Sequence, residues 1–357
     1  MLHVLFLLFY HLVVFKGFVG VFPSNFINVS DFRLIKRGDD MDGIEMRPAN
    51  PSDAVGIAEL YGRVYEGKYP LIEYMDSNFI KGAVESSDYV WYLAKAEGVV
   101  VGSTVGSISR WNNSCELGKT VVERTSRGRG IARGLCELVR EAALSSGVDV
   151  LWGSLRNLAM YEISKCDGLS MVGTSGAHRV TDRELHLIGL RLSENAKEKR
   201  VAAIAPELYS IPGVQCILEA MSLVGRPSGD YPAVAIVTQG ISANALSQGF
   251  YHPQDRCFVQ TGGRIIVPEY HEVTVLADKV PIVMDAVSQG FEIVAFLPGW
   301  YEEAGHRYDC VRLAKFYVQA KVQDLRLEQI ADQILRGFRL ENSPSMPIPY
   351  TDVRNAR

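Results

Sequence analysis

The chain has 357 residues, of which 47% are hydrophobic and 22% are charged. This length and composition predict a folded protein with a sizeable core and two domains of ordinary size, and they exclude a disordered tail. The 37 basic and 41 acidic residues leave a formal net charge of −4. Nucleic-acid binding is therefore not expected, because no broad positive field would attract a phosphate backbone.

The six cysteines are widely spaced, with no C-x-x-C pair and no histidine-rich partner segment. This pattern favours ordinary reduced thiols over a disulfide framework or a zinc site. We therefore predict no bound metal and a cytoplasmic location.

Residues 1–15 are almost wholly apolar, and a second apolar patch follows them. Fifteen residues fall short of the roughly 20 that a spanning helix needs, and the basic region and cleavage site of a secretory signal are missing. The favoured interpretation is that translation starts at Met41 or Met46 and that residues 1–42 precede the folded part. A membrane anchor over residues 1–22, with the folded part facing the cytoplasm, stays open.

From Gly43 onward the apolar spacing predicts regular elements. Residues 44–47 are typical of a short strand, and Pro51 opens an amphipathic helix. A less regular helical stretch covers about residues 71–84. Two β-rich runs then follow, separated only by Ala96-Glu97-Gly98, and this spacing predicts a hairpin.

The next predicted strand, Cys115 to Glu123, leads directly into a stretch rich in arginine and glycine. Beyond that stretch Ile131, Leu135, Leu138 and Ala142 recur at helical intervals. The stretch is therefore predicted to be a strand-to-helix turn. Its glycines allow close approach of backbone N–H groups, and the helix N-terminus favours an anion such as a diphosphate.

Three kinds of phosphate-binding turn compete for this stretch. Gly128, Gly130 and Gly134 give G-x-G-x-x-x-G and not the dinucleotide fingerprint G-x-G-x-x-G, and no G-K-[ST] ending follows Gly130. The remaining pattern is R-G-x-G-x-A over residues 127–132, after a β-rich strand.

With this turn, the order of elements resembles the GNAT superfamily of acetyl-CoA-dependent N-acyltransferases over about residues 44–192. The resemblance implies an α+β fold, a mixed and mostly antiparallel sheet flanked by helices, with acetyl-CoA as co-substrate. In that family the turn binds the coenzyme A pyrophosphate and the strand before it pairs with the pantetheine arm. The resemblance therefore assigns these residues to the cofactor site: Val121, Val122, Arg127, Gly128, Arg129, Gly130 and Ala132.

The family's second signature is an Asn after the fifth strand, then a helix that carries a tyrosine. Asn157 fits, and we assign it to the cofactor site by the same resemblance. At the tyrosine's usual place this chain has Ser164, while Tyr161 lies one turn earlier on the same predicted helix face. Tyr161 and Ser164 are thus alternative proton donors to the departing thiolate, and Tyr161 is also open to a packing role.

The resemblance also implies a base on the fourth strand, and Glu116 stands where many members carry a glutamate. Strict alternation would place Glu116 and Val122 on one face of the strand and Glu123 on the other. We therefore favour Glu116 over Glu123. His178 and His186 lie in the closing β-rich segments, where a core or surface role is favoured over a catalytic one.

A charged stretch, residues 193–200, is predicted to link the first domain (43–192) to a second, smaller α/β domain (201–357). The second half has strand-like runs at 201–204, 233–238 and 257–268. It then repeats a helix (280–288), Gly-Phe and two strands, like the end of a GNAT domain, but it has no R-G-x-G turn. We therefore interpret it as a degenerate partner domain. Its stretch Trp300-Tyr301-Glu302-Glu303 is a candidate contact for a cationic amine.

Two functions follow from these patterns. The favoured one is an N-acyltransferase that moves an acetyl group from acetyl-CoA to a primary amine of a small molecule. The alternative is a non-catalytic acyl-CoA-binding regulatory module. A homodimer is possible under either function, and the sequence does not identify the acceptor.

Overall fold

The computed structural model describes residues 43–178, 184–225, 228–237, 249–252, 257–260, 270–316, 320, 322 and 324–340. The predicted apolar segment 1–42 lies outside the described residues. Among the helices of these ranges, none combines the length and the apolar character needed to cross a membrane. The cysteines with described side chains are free thiols: Cys115, Cys136, Cys166, Cys216 and Cys310.

The first part of the chain follows the predicted order of elements. Asn50 caps a short 3-10 turn that leads into the first helix, since its side chain accepts from the backbone N–H of Ser52. The elements are β1 (Ile44–Pro48), α1 (Ala54–Tyr65), α2 (Ser77–Glu85), β2 (Tyr89–Ala96), β3 (Val99–Ser109), β4 (Ser114–Val122), α3 (Ile131–Ser145), β5 (Val150–Leu155), α4 (Leu158–Cys166), β6 (Ser170–His178) and β7 (Glu184–Leu192).

The predicted linker contains regular structure: α5 (Glu194–Lys199), capped by the Ser193 side chain, and the start of β8 (Arg200–Val201). Lys199 Nζ lies 3.1 Å from Asp149 Oδ2, and Arg200 forms a buried ion pair with Asp309. Charged side chains of the predicted linker thus form ion pairs with other parts of the fold.

The remaining elements are α6 (Pro206–Tyr209), α7 (Pro212–Ala220), β9 (Gly249–His252), β10 (Cys257–Gln260), β11 (Tyr270–Leu276), α8 (Val280–Ser288), β12 (Glu292–Glu303), β13 (His306–Phe316) and α9 (Leu325–Gly337). The strand predicted at 201–204 is shorter than expected. The segment predicted as a strand at 233–238 contributes only the bridge Ile236–Val275 within its described part. Part of the predicted run 257–268 lies outside the described residues.

A single sheet runs through both halves of the chain in the order β1-β2-β3-β4-β5-β7-β6-β12-β13-β11, with β8 beside β13. It is mostly antiparallel and is flanked by helices, which confirms the predicted fold class. Residues 40–357 form one compact unit. The division into domains at residues 193–200 stays a prediction.

The two halves join where β6 meets β12, and Ala295 pairs with Gly173. A Cβ atom on Gly173 would lie 2.2 Å from Ala295 Cβ and 2.3 Å from the Val294 carbonyl oxygen. Glycine is therefore required for this close crossing of the strands.

A buried ionic network adds a second connection. Arg307, on β13, is fully buried and its guanidinium contacts Asp149 at 3.2 Å, Glu302 at 2.8 Å and the Asn112 carbonyl oxygen at 2.7 Å. Arg200 makes two bonds to Asp309, at 2.7 and 2.6 Å. Because these charges are paired and hydrogen-bonded, they are tolerated in the interior.

Candidate functional site

The glycine turn between β4 and α3 has the backbone geometry that its sequence predicts. Gly128 and Gly130 have φ angles of +82° and +79°, in the region that side chains rarely adopt, and a Cβ on either would meet no atom within 4 Å. Gly130 precedes the first residue of α3, so the N–H groups of the helix start border this open space. The turn can accept an anion against its backbone.

The other residues predicted for the cofactor site differ in exposure and in contacts. Arg127 donates from Nε to the Val122 carbonyl oxygen at 3.1 Å, which ties the turn to the end of β4. Arg129 and Ala132 are half-buried beside the turn, whereas the Val121 side chain is 2% exposed and lies in the core. Val121 can therefore contribute to a cofactor site through its backbone only.

Strands β4 and β5 separate immediately upstream of this turn. They are parallel and pair only at three positions, the last being Glu116 with Trp152. Beyond that pair β4 continues to Val122 and β5 to Leu155. The facing edges of the two strands are not paired with each other beyond this point, and we call the region between them the β4–β5 cleft. An extended ligand can pair with the backbone groups of these edges.

A bulge in β4 changes which residues share a face. Lys119 and Thr120 together oppose Thr104 on β3, and Lys119 has a φ angle of +53°. Val121 packs among the residues of α1 and α2, whereas Val122 packs against the α3 side. The alternation argument was therefore wrong about Val122, because a bulged strand changes phase by one residue.

Glu116 lies on the α1–α2 face, since its neighbours Cys115 and Leu117 pack toward α3. Its Oε2 is 2.6 Å from Lys119 Nζ, and the two side chains are 27% and 13% exposed. Burial, with the charge of Glu116 nearby, raises the pKa of Tyr74 above its ordinary value. A partly sheltered carboxylate–ammonium pair thus stands where the cleft begins.

Four tyrosines from α1 and the segment after it form a wall beside this pair. Ring centroids are 4.9 Å apart for Tyr61 and Tyr69, 4.5 Å for Tyr65 and Tyr69, and 5.6 Å for Tyr61 and Tyr74. The Tyr61 hydroxyl donates to the carbonyl oxygen of the bulged Lys119. Tyr61 and Tyr74 lie in the core, whereas Tyr65 and Tyr69 are partly exposed and suit the apolar or cationic part of a ligand.

Glu123 is engaged elsewhere. Its Oε2 accepts from Arg63 Nε at 3.0 Å, and its Oε1 accepts from the backbone N–H of Arg124 at 3.1 Å. These contacts hold Glu123 at the start of the glycine turn and support the preference for Glu116.

The residues predicted on and before α4 have mainly structural contacts. Asn157 caps the helix by accepting from the Met160 backbone N–H at 3.0 Å. Ser164 is 5% exposed and donates to the Tyr161 carbonyl oxygen at 2.8 Å. Tyr161 packs against an apolar cluster that includes α9 residues such as Leu327, with Lys165 Nζ 5.3 Å from its ring centroid. Within the described part of the chain, neither proposed proton donor forms a side-chain hydrogen bond to β4 or β5.

The aromatic and acidic stretch 300–303 is not a surface patch. Trp300 is 2% exposed, and its ring centroid lies 5.7 Å from that of Trp152 and 6.2 Å from that of Trp111. Glu302 pairs with Arg307. The prediction that this stretch contacts an amine was wrong about Trp300, because the ring lies in the core between the halves.

One polar pair near the cleft was not predicted. Ser154 on β5 and His186 on β7 are joined by a 2.7 Å hydrogen bond between Oγ and Nδ1, and Glu184 Oε2 lies 3.6 Å from His186 Nε2. Sequence reasoning placed His186 in a core or surface role. The available signal was the polar Ser154 and His186 within apolar strands, but their pairing depends on the register of β5 against β7.

Among the described side chains, no group of three or more histidine, cysteine or acidic residues is placed to hold a metal ion.

The family comparison decides what the turn and the cleft belong to. The model of the acetyltransferase (GNAT) family matches residues 55–166, which run from α1 through the glycine turn to the end of α4. Residues 55–166 form a GNAT acetyltransferase domain. This N-acetyltransferase domain includes the β4–β5 cleft and the glycine turn.

Solved structures of acetyltransferases also resemble part of the chain. The ribosomal-protein-S5-alanine acetyltransferase of Vibrio fischeri is 15% identical over 43% of this chain and 94% of its own, with a TM-score of 0.37. The acetyltransferase yncA of Salmonella typhimurium, with its cofactor acetyl-CoA, is 17% identical over 43% and 96%, with a TM-score of 0.38. The paia N-acetyltransferase of Thermoplasma acidophilum, in complex with coenzyme A, is 15% identical over 42% and 99%, with a TM-score of 0.34. No curated protein sequence matches the chain.

Proposed function

We propose that this protein transfers an acetyl group from acetyl-CoA to a primary amine of a small molecule. The observation that carries the proposal is the β4–β5 cleft, which opens after Glu116 and Trp152 and leads to the turn at Gly128 and Gly130. The turn is suited to the coenzyme A pyrophosphate, and the open edges of the strands are suited to the amide-rich pantetheine arm. The thioester then lies in the cleft near Glu116.

The carboxylate of Glu116 is the proposed base. An amine reaches the enzyme mainly as an ammonium ion and must lose a proton before its lone pair can attack the thioester. Glu116 is partly exposed on the α1–α2 face, and its present partner is itself an ammonium, that of Lys119 at 2.6 Å. An acceptor ammonium can therefore replace or share this contact before transferring its proton.

The chemical character of the acceptor follows from the wall around Glu116. The partly exposed rings of Tyr65 and Tyr69 offer aromatic faces, and the carboxylate offers the opposite charge to an ammonium. Together they favour a small amine with an apolar or aromatic body, because such a molecule gains both ring contact and charge pairing. The free thiols of the described cysteines support a cytoplasmic reaction.

The test is release of free coenzyme A from acetyl-CoA across a panel of small amines, with product acetamides identified by mass spectrometry. Glu116→Gln is expected to lower kcat for the best amine by about 100-fold, since a positioned acid or base contributes about 10²–10⁴-fold. Glu59→Gln, on the exposed side of α1, is the matched control and should keep normal kcat. Tyr161→Phe should have little effect on kcat, because its ring packs toward α9.

Coenzyme A binding by calorimetry, measured on the same preparation, separates the two candidate functions. Binding without coenzyme A release for any amine would contradict the enzyme proposal and support the regulatory acyl-CoA-binding module instead.

A further inference from the structure

The pair formed by Ser154 and His186 has the geometry of a proton-transfer unit. The Ser154 Oγ and His186 Nδ1 atoms are 2.7 Å apart, within hydrogen-bonding reach. On the other side of the ring, Glu184 Oε2 lies 3.6 Å from Nε2. When a hydroxyl, an imidazole and a carboxylate lie in this spatial order, the imidazole can take a proton from the hydroxyl and return it. The carboxylate stabilises the positive charge that develops on the ring.

The pair is located at the cleft. Trp152 is the last residue of β5 that pairs with β4, and its partner is Glu116. Ser154 follows Trp152 by two residues and therefore lies on the same face of the sheet as Glu116. This position is on the part of β5 that has separated from β4, where the proposed function puts the thioester.

The departing sulfur has to gain a proton, and the two residues predicted as its proton donors, Tyr161 and Ser164, have other contacts. The thiolate leaves more easily if it is protonated as the C–S bond breaks. Ser164 is buried and donates to a carbonyl of its own helix, and Tyr161 packs in the apolar cluster that contains α9 residues. The tyrosine role implied by the family resemblance thus has no counterpart on α4.

We infer that Ser154 and His186 carry the proton from the attacking nitrogen to the departing sulfur. The inference rests on the proposed function. After Glu116 has taken the first proton from the ammonium, the amine nitrogen bonds to the acetyl carbon. The nitrogen's second proton passes to Ser154 Oγ as the hydroxyl proton passes to His186 Nδ1. When the C–S bond breaks, its electron pair stays on sulfur, and His186 returns a proton through Ser154 to give the free thiol.

In this scheme Ser154 is the catalytic residue and His186 acts through it. The scheme needs a neutral imidazole at the start, because Nδ1 has to accept the hydroxyl proton. Charged groups of both signs lie around His186. Glu184 pairs with Arg156 at 2.9 Å on one side. On β6, Ser175 pairs in register with His186 and donates to Glu272, which lies 3.4 Å from Arg312.

The experiment compares Ser154→Ala, Ser154→Thr and His186→Gln in the full chain, with acetyl-CoA and the amine that the wild type uses best. Ser154→Ala is expected to lower kcat by about 100-fold, with the KM for acetyl-CoA unchanged within about twofold. Ser154→Thr keeps a hydroxyl at this position and should recover most of the activity. His186→Gln should lower kcat by about the same factor and should remove one ionisation from the pH profile of kcat.

Two control variants remove the same groups elsewhere. Ser146→Ala deletes a hydroxyl that donates to the Ala143 carbonyl oxygen at the end of α3. His271→Gln changes another buried histidine, on β11. Both should keep the wild-type kcat and pH profile.

Several outcomes would overturn the inference. Ser154→Ala and His186→Gln with kcat within about twofold of the wild type would show that the pair takes no part. An acetyl group trapped on Ser154 by rapid quenching would replace the proton relay with a covalent intermediate. If the wild type itself releases no coenzyme A with any amine, the proposed function fails first, and this result is distinct from an active wild type with unaffected variants.

Discussion

Two adjacent parts of the long sheet repeat the same arrangement of elements. In the first, β5, α4, β6 and β7 follow one another and lie in the order β5-β7-β6. In the second, β11, α8, β12 and β13 lie in the order β11-β13-β12. Each helix ends at a glycine with positive φ, Gly168 at +76° and Gly290 at +85°. Strands β6 and β12 then meet antiparallel at the centre, as a twofold rotation would place them.

The difference between the repeats lies in what precedes them. The first repeat follows β4, the glycine turn and α3. Its first strand, β5, therefore lies parallel to β4, and the separation of these two strands forms the cleft. The second repeat has no such turn among its described residues. The same fold thus supports both halves, but the candidate site requires the turn and the separating strand. The predictions that follow test this comparison.

The largest effect is expected for Arg307→Ala, which removes the ionic connection between the halves. The variant takes the buried guanidinium away from Asp149 and Glu302, although Asp149 keeps the partly exposed Lys199. Breaking a buried pair in this way costs about 3–5 kcal/mol. The free energy of unfolding, from urea titration, measures the loss. Arg110→Ala is the control, since Arg110 is 66% exposed in its pair with Asp88 and the expected cost is below about 1 kcal/mol. Equal losses in the two variants would show that the buried network does not stabilise the joint.

Gly173→Ala tests the crossing of β6 and β12. The added methyl group would overlap Ala295 and the Val294 carbonyl, so the strands must move apart. We expect a loss of about 3 kcal/mol in the free energy of unfolding, in the upper range for overpacking. Gly62→Ala, where no atom lies within 4 Å of the new methyl group, should be neutral or slightly stabilising. A stable Gly173→Ala variant would argue that the joint is looser than the structure shows.

The residue before the helix-ending glycine differs between the repeats: it is Asp167 in the first and Gln289 in the second. Burial raises the pKa of Asp167 to about 6, although Arg140 lies 2.5 Å away. The folded state therefore binds its proton more tightly than the unfolded state, and this contribution to stability is lost as pH rises from about 4 to about 6. Between pH 4 and pH 7, the free energy of unfolding of Asp167→Asn should increase by about 2 kcal/mol relative to that of the wild type.

Asp53→Asn is the control with the opposite sign. Arg47 holds the pKa of Asp53 well below its usual range, so the charged form stabilises the fold at neutral pH. This variant should lose stability relative to the wild type at pH 7, and the difference should shrink in acid. Parallel pH dependence of the two variants in thermal unfolding would contradict both assignments.

The smallest change in stability is expected at the glycine turns. Gly130 and Gly305 both have φ angles of +79° with open space around them, one in the candidate cofactor turn and one in the β12–β13 hairpin. Substitution by leucine should cost about 1–2 kcal/mol at either position, because side chains are strained there. Only Gly130→Leu should weaken coenzyme A binding, by about 10-fold or more in calorimetry. Unchanged affinity would show that the turn does not bind the cofactor.

Much of the fold could be predicted from the sequence because its signals are local. The helical intervals of Ile131, Leu135, Leu138 and Ala142 predicted α3, and the R-G-x-G-x-A pattern located the turn whose glycines have positive φ. The repeat of helix, glycine and two strands in the second half was also visible. These features depend on residues a few positions apart, where spacing and backbone preference act directly.

The tertiary structure decided which of these residues come together. The bulge at Lys119 placed Glu116 and Val122 on opposite faces, and the packing of α9 turned Tyr161 toward an apolar cluster. The contact between Ser154 and His186 joins positions 32 residues apart. Such contacts depend on strand register, and a shift of one residue reverses every side chain of a strand. The sequence alone thus located the turn and the elements around it, whereas the pairing of strands determined which chemical groups face the cleft.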